Sequence, residues 1–208
     1  MDLSDKDLLM EILKYLIIVV CGYLLGSVSV SIILSRAFGV DIRKKGSGNA
    51  GATNMARSFG LLAGFATLAG DFLKAVIVMY VGWRLCGDWG LMAGGMACTT
   101  GHCYPLFYDF RGGKGISVGA AIGLMIDWRV FVGIVAVFLI GAFLTKKASF
   151  GSLCAAVAIV ALALIFAVPL PKLLLAIYAA VLAIFQHRAN IKRLSDGTEP
   201  DFKAADSK

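Results

Sequence analysis

Residues 8–34 read LLMEILKYLIIVVCGYLLGSVSVSIIL, an apolar run that contains only two charged side chains, Glu11 and Lys14. A helix needs about 20 predominantly apolar residues to cross a hydrocarbon core of about 30 Å. This stretch is therefore long enough to span a membrane. The residues before it are acidic rather than basic, so we do not expect it to be a cleaved signal peptide.

Further apolar blocks cover residues 61–85, 130–144, 150–168 and 173–185, each nearly without charge. Of the 208 residues, 59% are hydrophobic and 16% charged. A soluble domain usually has about 45–50% apolar and about 25% charged residues. The sequence predicts an all-α, polytopic integral membrane protein that forms one membrane domain over residues 1–208. We expect residues 1–7 and 197–208 to be flexible termini.

We expect about seven transmembrane helices, at roughly 8–34, 61–83, 89–104, 116–127, 129–145, 150–168 and 171–186. The third and fourth are too short to cross the bilayer alone. They would extend into the intervening segment, tilt, or form a re-entrant pair. Non-helical backbone at membrane depth is tolerated where it is buried in protein or lines a wet cavity.

Basic residues are divided unequally between the two ends of these helices. One end carries 14 of them: Arg36, Arg43, Lys44, Lys45, Arg57, Arg111, Lys114, Lys146, Lys147, Arg188, Lys192, Arg193, Lys203 and Lys208. The other end carries 5: Lys6, Lys14, Arg84, Arg129 and Lys172. Short cytoplasmic loops are enriched in Lys and Arg, so the N-terminus should be outside and the C-terminus cytoplasmic. Every segment rich in functional side chains then lies on the cytoplasmic side, which predicts a single site there.

The first of these segments, residues 46–54, reads GSGNAGATN. Glycines allow positive φ angles, and successive backbone N–H groups can surround an anion. The segment leads into a helix, whose N-terminus favours phosphate. A flexible connector is the alternative, but we favour a phosphate-binding loop. Its predicted members are Gly46, Ser47, Gly48, Asn49, Gly51, Thr53, Asn54 and, just after it, Arg57.

The second segment, residues 101–115, reads GHCYPLFYDFRGGKG. It is not a Walker A loop, because Tyr108 and Gly115 occupy the places of the first Gly and the final Ser or Thr. It still holds a cation against exposed backbone donors at the start of a helix. A tight cytoplasmic turn is the alternative to a second phosphate site. The candidate binding residues are His102, Arg111, Gly112, Gly113, Lys114 and Gly115.

The third segment, residues 187–194, reads HRANIKRL. A basic anchor at the membrane surface would explain its Arg and Lys residues. It would not explain His187 and Asn190, which share one helix face with Ile191 by their spacing. Both the anchor and the site interpretation stay open. The two histidines of the chain, His102 and His187, each lie in one of these segments and could act as proton acceptors or anion partners.

Asp71 and Lys74 lie three residues apart within the second apolar block. Ionisable groups in a membrane span are costly and usually face the bundle interior or a cavity. We favour an ion pair that supports the bundle. A role in orienting the site is the alternative.

Several ligand classes are not expected. The net charge of +7 could suggest nucleic acid, but the basic residues flank apolar blocks, which membrane topology explains better. The five cysteines show no C-x-x-C and no zinc-ligand spacing. We therefore expect no nucleic-acid partner, no metal, no cofactor and no structural disulfide.

Taken together, the segments resemble the bacterial acyl-phosphate:glycerol-3-phosphate acyltransferases of the PlsY type. The resemblance runs through residues 22–27, 46–54, 71–74, 101–115 and 187–194 in the family's order and spacing. It implies a seven-helix enzyme of the bacterial inner membrane with its active site at the cytoplasm. Its substrates would be glycerol 3-phosphate and a long-chain acyl phosphate, among membrane lipids. Its products would be lysophosphatidic acid, acylated on the 1-hydroxyl of sn-glycerol 3-phosphate, and phosphate.

On this resemblance the donor is acyl phosphate, and neither acyl-CoA nor acyl carrier protein is expected to donate directly. Consistently, neither histidine begins a His-x-x-x-x-Asp motif. The predicted catalytic residues are Ser47, Arg57, Lys114, His187 and Asn190. Ser152 and Arg188 complete the predicted substrate-binding residues.

We expect one substrate phosphate on the 46–54 loop with Lys114 and the glycines beside it. Arg57, Asn190 and His187 would hold the other, and which substrate takes which place stays open. The hydroxyl proton would go to a substrate phosphate, which we favour, or to His187. A transporter of a phosphorylated solute is a rival interpretation, although the two halves of the chain show no repeat. A non-catalytic scaffold would leave the polar loops unexplained.

Overall fold

The computed structural model describes residues 3–202, which form nine α-helices and two short 3-10 turns without any strand in that range. The helices are α1 (Leu3–Gly26), α2 (Val30–Ala37), α3 (Ala52–Phe59), α4 (Leu61–Cys103), α5 (Ile116–Ile126), α6 (Trp128–Thr145), α7 (Ala148–Ile165), α8 (Leu170–Gln186) and α9 (Arg188–Ser195). The predicted all-α class is confirmed. By length and apolar composition, four helical stretches in the described part could cross a membrane, or five if α8 and α9, bent by 57°, form one broken span.

The outer surface of the bundle carries many large apolar side chains. Phe143 is 84% exposed and Leu62 is 81% exposed. Apolar surface of this extent marks a membrane-embedded protein, because lipid rather than water then surrounds it. The interior is packed mainly between α4, α5 and α8, where Met79, Ile122 and Leu175 are fully buried.

The predicted first helix, residues 8–34, is two helices. The chain leaves helical geometry between Gly26 and Val30, where the Ser27 hydroxyl donates to the Tyr23 carbonyl at 2.8 Å. At the same point any side chain at Gly26 would collide with the backbone of Cys98 in α4. The break therefore depends on close packing against a distant part of the chain, and the apolar pattern alone did not reveal it.

Helix α4 turns back on itself at Cys86 and Gly87, the latter with φ +59°. The sequence predicts separate helices at 61–83 and 89–104, and the break between them is confirmed. The two halves of α4, residues 61–85 and 88–103, pack against each other through glycine. Gly82 lies so close to Gly90 that a Cβ on either would collide with the other's backbone. The two ends of α4 are therefore brought to the same end of the bundle.

Helix α5 follows a loop and is only 11 residues long, about 16 Å at 1.5 Å per residue. It is too short to cross a bilayer alone, as the sequence predicts for this element. It packs against α4, α6 and α8. The carboxylate of Asp127 then accepts from the Arg129 N–H at 2.7 Å and caps the start of α6.

The expectation of one domain with flexible ends stays a prediction. Residues 1, 2 and 203–208 lie outside the described range. Within it, residues 3–7 belong to α1, and the side chain of Glu199 is buried against α9 with 7% exposure. The segment 197–202 thus has specific contacts that the sequence did not predict.

Candidate functional site

The predicted phosphate loop, residues 46–54, is held in shape by Asn54. This side chain is 1% exposed, and its amide nitrogen donates to the carbonyls of Lys45 at 2.9 Å and Asn49 at 3.0 Å. Its oxygen accepts from the Ser47 N–H at 2.9 Å. The polar atoms of Asn54 are therefore used within the loop, and because the residue also lines the cavity, its role in phosphate binding stays a prediction. Gly46, with φ +58°, packs directly on Asn54 and leaves no room for a Cβ.

The second loop is tied back onto the end of α4. The Gly112 N–H donates to the Cys103 carbonyl at 3.2 Å, and the Gly113 N–H donates to the His102 carbonyl at 3.0 Å. A side chain at Gly112 or Gly113 would collide with His102, so glycine permits this close approach. Gly115, with φ +81°, then lets α5 begin immediately afterwards. Lys114 is presented from a fixed backbone.

Lys114 connects the two sets of residues that the sequence predicts to bind phosphate. Its ammonium donates to Asn190 Oδ1 on α9. The Asn190 amide in turn donates to Glu199 Oε1 at 2.7 Å, and Arg193 Nε donates to Glu199 Oε2 at 2.7 Å. The sequence predicts Lys114 and Asn190 on different substrate phosphates, whereas the structure places them in contact. The two phosphate places are therefore adjacent parts of one cluster.

His187 lies at the junction of α8 and α9 and is 3% exposed. Its Nδ1 is 2.7 Å from the Ala183 carbonyl oxygen. A carbonyl can only accept, so Nδ1 carries the proton and the neutral ring keeps Nε2 as an acceptor. This tautomer suits either a hydrogen bond from a substrate hydroxyl or proton transfer.

Arg57 reaches the site from the last turn of α3. Its guanidinium donates to the Asp201 carbonyl at 3.2 Å. Lys147 contacts the same segment, through the Glu199 carbonyl and through Asp201 Oδ1 at 3.1 Å. Residues 197–202 therefore lie across the polar end of the bundle and carry Glu199 into it.

These groups line a cavity of about 790 Å³. Its polar lining is Ser47, Asn49, Thr53, Asn54, Arg57, His102, Lys114, Ser117, Ser149, Ser152, His187, Asn190, Arg193 and Glu199. An apolar wall continues it along the membrane helices: Phe65, Leu68, Phe72, Phe131, Ile134, Val135, Phe138, Leu139 and Ile159. Phe72 on α4 and Phe131 on α6 have ring centroids 6.0 Å apart. One cavity thus connects a charged end with an apolar surface.

The charged end of the cavity is cationic. Arg57, Lys114 and Arg193 face a single carboxylate, Glu199, which leaves a formal excess of two positive charges. Burial lowers the pKa of Lys114 to about 8, and the positive charges of Arg193 and Arg57 act in the same direction. Burial alone would raise the pKa of Glu199, but hydrogen bonds that include those from Asn190 and Arg193 lower it overall. Glu199 is therefore ionised and the cluster attracts anions.

Most predicted site residues line this cavity, and some do not. Gly51 and Gly115 line it together with the polar residues named above, whereas Gly46 and Gly48 only shape the loop. A smaller adjoining pocket of about 250 Å³ is lined by Arg111, Gly112, Gly113 and Arg188, together with Asn49 and Lys114. Arg111 and Arg188 therefore line this neighbouring pocket, and their role in substrate binding stays a prediction.

Four polar residues of the cavity lining were not predicted: Ser117, Ser149, Arg193 and Glu199. Arg193 lies three residues after Asn190 on α9, so the helical spacing could have indicated it. Glu199 follows the end of α9 without any repeat or motif, and only the fold shows that it returns to the site. No group of three or more His, Cys, Asp or Glu residues within the described chain could hold a metal ion.

A protein family, individual relatives and solved structures all match most of this chain. A family described as glycerol-3-phosphate acyltransferase matches residues 16–197. The glycerol-3-phosphate acyltransferase of Geobacter sulfurreducens is 40% identical over 195 residues, which cover 92% of this chain and all of that protein.

Two crystal structures of PlsY (YgiH), described as an integral membrane glycerol 3-phosphate acyltransferase, share the fold. The glycerol 3-phosphate form matches with a TM-score of 0.88 and 33% identity, over 91% of this chain and 96% of that one. The lysphosphatidic acid form matches with a TM-score of 0.84 and 34% identity, over 91% of this chain and 95% of that one.

Proposed function

The chain belongs to the glycerol-3-phosphate acyltransferase family, and on that premise we propose that it transfers a fatty acyl group from acyl phosphate to the 1-hydroxyl of sn-glycerol 3-phosphate. One observation carries the proposal: a single cavity of about 790 Å³ joins a cationic cluster to an apolar wall. A long-chain acyl phosphate has this same division, with a charged head and an apolar chain. The glycerol 3-phosphate form of the related PlsY structure supports the assignment of the acceptor.

We expect both substrates to bind in this cavity. Two phosphate groups carry several negative charges, which Arg57, Lys114 and Arg193 would neutralise, with Asn190 fixing the lysine. The acyl chain would lie along the apolar wall that α4 and α6 form, which includes Phe72 and Phe131. Holding two reactants in line can remove about 7–11 kcal/mol of a barrier in ideal cases.

The chemistry needs no protein nucleophile, because an acyl phosphate is already activated. The 1-hydroxyl oxygen of glycerol 3-phosphate attacks the acyl carbonyl carbon, and a new C–O ester bond forms. The C–O bond to the phosphate breaks, and the phosphate leaves with the electron pair. The hydroxyl proton passes to a phosphate oxygen of a substrate. Cations around the leaving phosphate stabilise the charge that develops on it.

We place the protein in a bacterial inner membrane, with seven spans, an outside N-terminus and a cytoplasmic site. Three features support this arrangement: the first concerns the orientation, the second the location of the site and the third the number of spans. The basic residues are divided 14 to 5 between the two ends. The ends of α3 and α8 and the start of α5 meet at the cavity. Finally, α4 turns sharply at Gly87, so each of its two halves would cross the membrane once.

The first test is product formation by the purified protein in detergent or lipid. Labelled glycerol 3-phosphate is supplied with palmitoyl phosphate, and in parallel with palmitoyl-CoA. Lysophosphatidic acid formed from palmitoyl phosphate alone would support both the donor and the reaction. Product from palmitoyl-CoA alone would overturn the donor, and no product from either in folded protein would overturn the function.

Binding of glycerol 3-phosphate is expected to weaken as the pH rises above about 8. The pKa of Lys114 is lowered to about 8 in the protein without substrate. The ammonium is therefore present below that pH and lost above it. Phosphate monoesters have their second pKa near 6, so the ligand stays a dianion from pH 7 upward. We expect Kd measured by calorimetry to rise up to about tenfold per pH unit above 8.

Lys114→Arg is the matched control for this pH dependence. Arginine stays protonated over the whole range, so the increase in Kd above pH 8 should disappear even if the absolute Kd is higher. An unchanged Kd in the unsubstituted protein between pH 7 and 9.5 would contradict the assignment of Lys114 as the titrating phosphate ligand.

His187→Gln is expected to retain kcat within about tenfold. If a substrate phosphate accepts the hydroxyl proton, His187 supplies only a hydrogen bond, which glutamine can partly replace. A general base typically contributes about 10²–10⁴-fold, so a loss of that size would identify His187 as the base instead. The measurement is kcat at saturating concentrations of both substrates, with the melting temperature as the check on folding.

A further inference from the structure

A buried cluster of three ionisable side chains lies next to the cationic cavity. Asp71 and Lys74 belong to the first half of α4, and His102 ends the second half; their exposures are 1%, 6% and 4%. Lys74 Nζ lies 2.8 Å from Asp71 Oδ1 and 3.3 Å from His102 Nδ1. Ionisable groups inside a membrane protein are costly and are usually functional.

Lys74 also bonds to the break between α1 and α2. Its ammonium donates to the Gly26 carbonyl at 3.0 Å and to the Val28 carbonyl at 2.6 Å. Carbonyls at the end of a helix have no partner within that helix and need one elsewhere. Lys74 thus holds the backbone between α1 and α2 in place. From there the chain runs through α2 to the 46–54 loop.

His102 connects the same cluster to the loop that carries Lys114. His102 Nδ1 lies 3.3 Å from Lys74 Nζ and 3.7 Å from Asp71 Oδ1, so this ring belongs to the cluster. Nε2 packs directly on Gly113, where any side chain would collide with it. The Gly113 N–H donates to the His102 carbonyl at 3.0 Å. The orientation of His102 therefore sets the position of the residue just before Lys114.

We propose that Asp71 and Lys74 are positioning residues for the acyl transfer. Acting through His102 and through the break after Gly26, they fix the position of the 46–54 loop relative to the loop that carries Lys114. The proposal rests on the proposed function for its kinetic consequence but not for its structural one. It differs from a pair that merely stabilises the bundle. A merely stabilising buried pair can often be replaced by apolar residues of similar volume without loss.

The test is the double variant Asp71→Leu/Lys74→Met, which removes both charges together and leaves neither buried without a partner. We expect a lower melting temperature, because the Gly26 and Val28 carbonyls lose the Lys74 donor. At a temperature where the variant stays folded, we expect kcat to be reduced on the order of 10²-fold by misplacement of the site. Thr67→Val is the matched control. Thr67 is 0% exposed, lies one turn before Asp71, and donates to the Ala63 carbonyl within α4 at 2.9 Å. Its replacement should leave kcat unchanged.

Amide hydrogen exchange supplies a readout that does not depend on turnover. The Gly112 and Gly113 amides should exchange at least about tenfold faster in the double variant, because their partners, the carbonyls of Cys103 and His102, are no longer held in place. Peptides from α7 should be unchanged. If the apolar double variant does not fold, Asp71→Asn/Lys74→Gln, which keeps polar groups, is measured in the same way.

Unchanged exchange at these two amides, or unchanged kcat in a folded double variant, would overturn the proposal. Slower turnover together with faster exchange would support it. If the unsubstituted protein makes no lysophosphatidic acid, the proposed function fails. The exchange comparison still decides whether Asp71 and Lys74 position the loop.

Discussion

Replacing Lys114 by methionine is expected to reduce kcat/KM by about 10²–10³-fold, the usual loss when one preorganised donor is removed from a charged transition state. The ammonium lies among Asn190, Arg193 and Glu199 in the cavity. Methionine keeps most of the side-chain volume and removes only the charge and the donors. The measurement is steady-state transfer from palmitoyl phosphate at several glycerol 3-phosphate concentrations.

Lys192→Met is the matched control for this substitution. Lys192 lies on the same helix as Asn190 but is exposed and does not line the cavity. It should retain kcat/KM within about twofold, since an isolated surface charge contributes little. Equal losses in both variants would mean that general surface charge, rather than the Lys114 contact with Asn190, governs the reaction.

Gly90→Ala is expected to lower the melting temperature by about 2–12 °C. The added Cβ would collide with the Gly82 carbonyl in the other half of α4, which is backbone and cannot rotate away. Overpacking of this kind costs about 1–3 kcal/mol, and each kcal/mol shifts the melting temperature of a chain of this size by about 2–4 °C. Thermal unfolding in detergent, followed by tryptophan fluorescence, measures the effect.

The control is Gly119→Ala in α5, where a Cβ would meet nothing within 4 Å. Alanine is favoured over glycine inside a helix by about 1 kcal/mol, so this variant should be equally stable or more stable. If both variants melt at the same temperature, the close contact between the two halves of α4 does not limit stability.

Local composition predicted the all-α membrane fold class and most of the helices. Long apolar blocks define membrane helices because each must satisfy its own backbone hydrogen bonds and bury about 20 apolar residues. The break between residues 83 and 89 was predictable, since a charged and glycine-containing stretch interrupts the apolar run there. The three polar segments were likewise visible as motifs, and Ser47, Arg57, Lys114, His187 and Asn190 all line one cavity.

Contacts between distant parts of the chain decided the rest. The first apolar run breaks after Gly26 because Cys98 and Lys74 approach it from α4, and no pattern within residues 8–34 encodes that approach. The Asn54 amide bonds within its own loop because three backbone carbonyls surround it, and their positions follow from the fold of the loop.

The sequence by itself determined a helical membrane protein of this acyltransferase family, because apolar length and clustered motifs are properties of neighbouring residues. The tertiary structure alone decided that Lys114 contacts Asn190 across 76 residues of sequence, and that Glu199 returns to close the cationic cluster. Such pairings depend on how helices pack against one another. Packing of this kind is a three-dimensional property that no local window of the sequence contains.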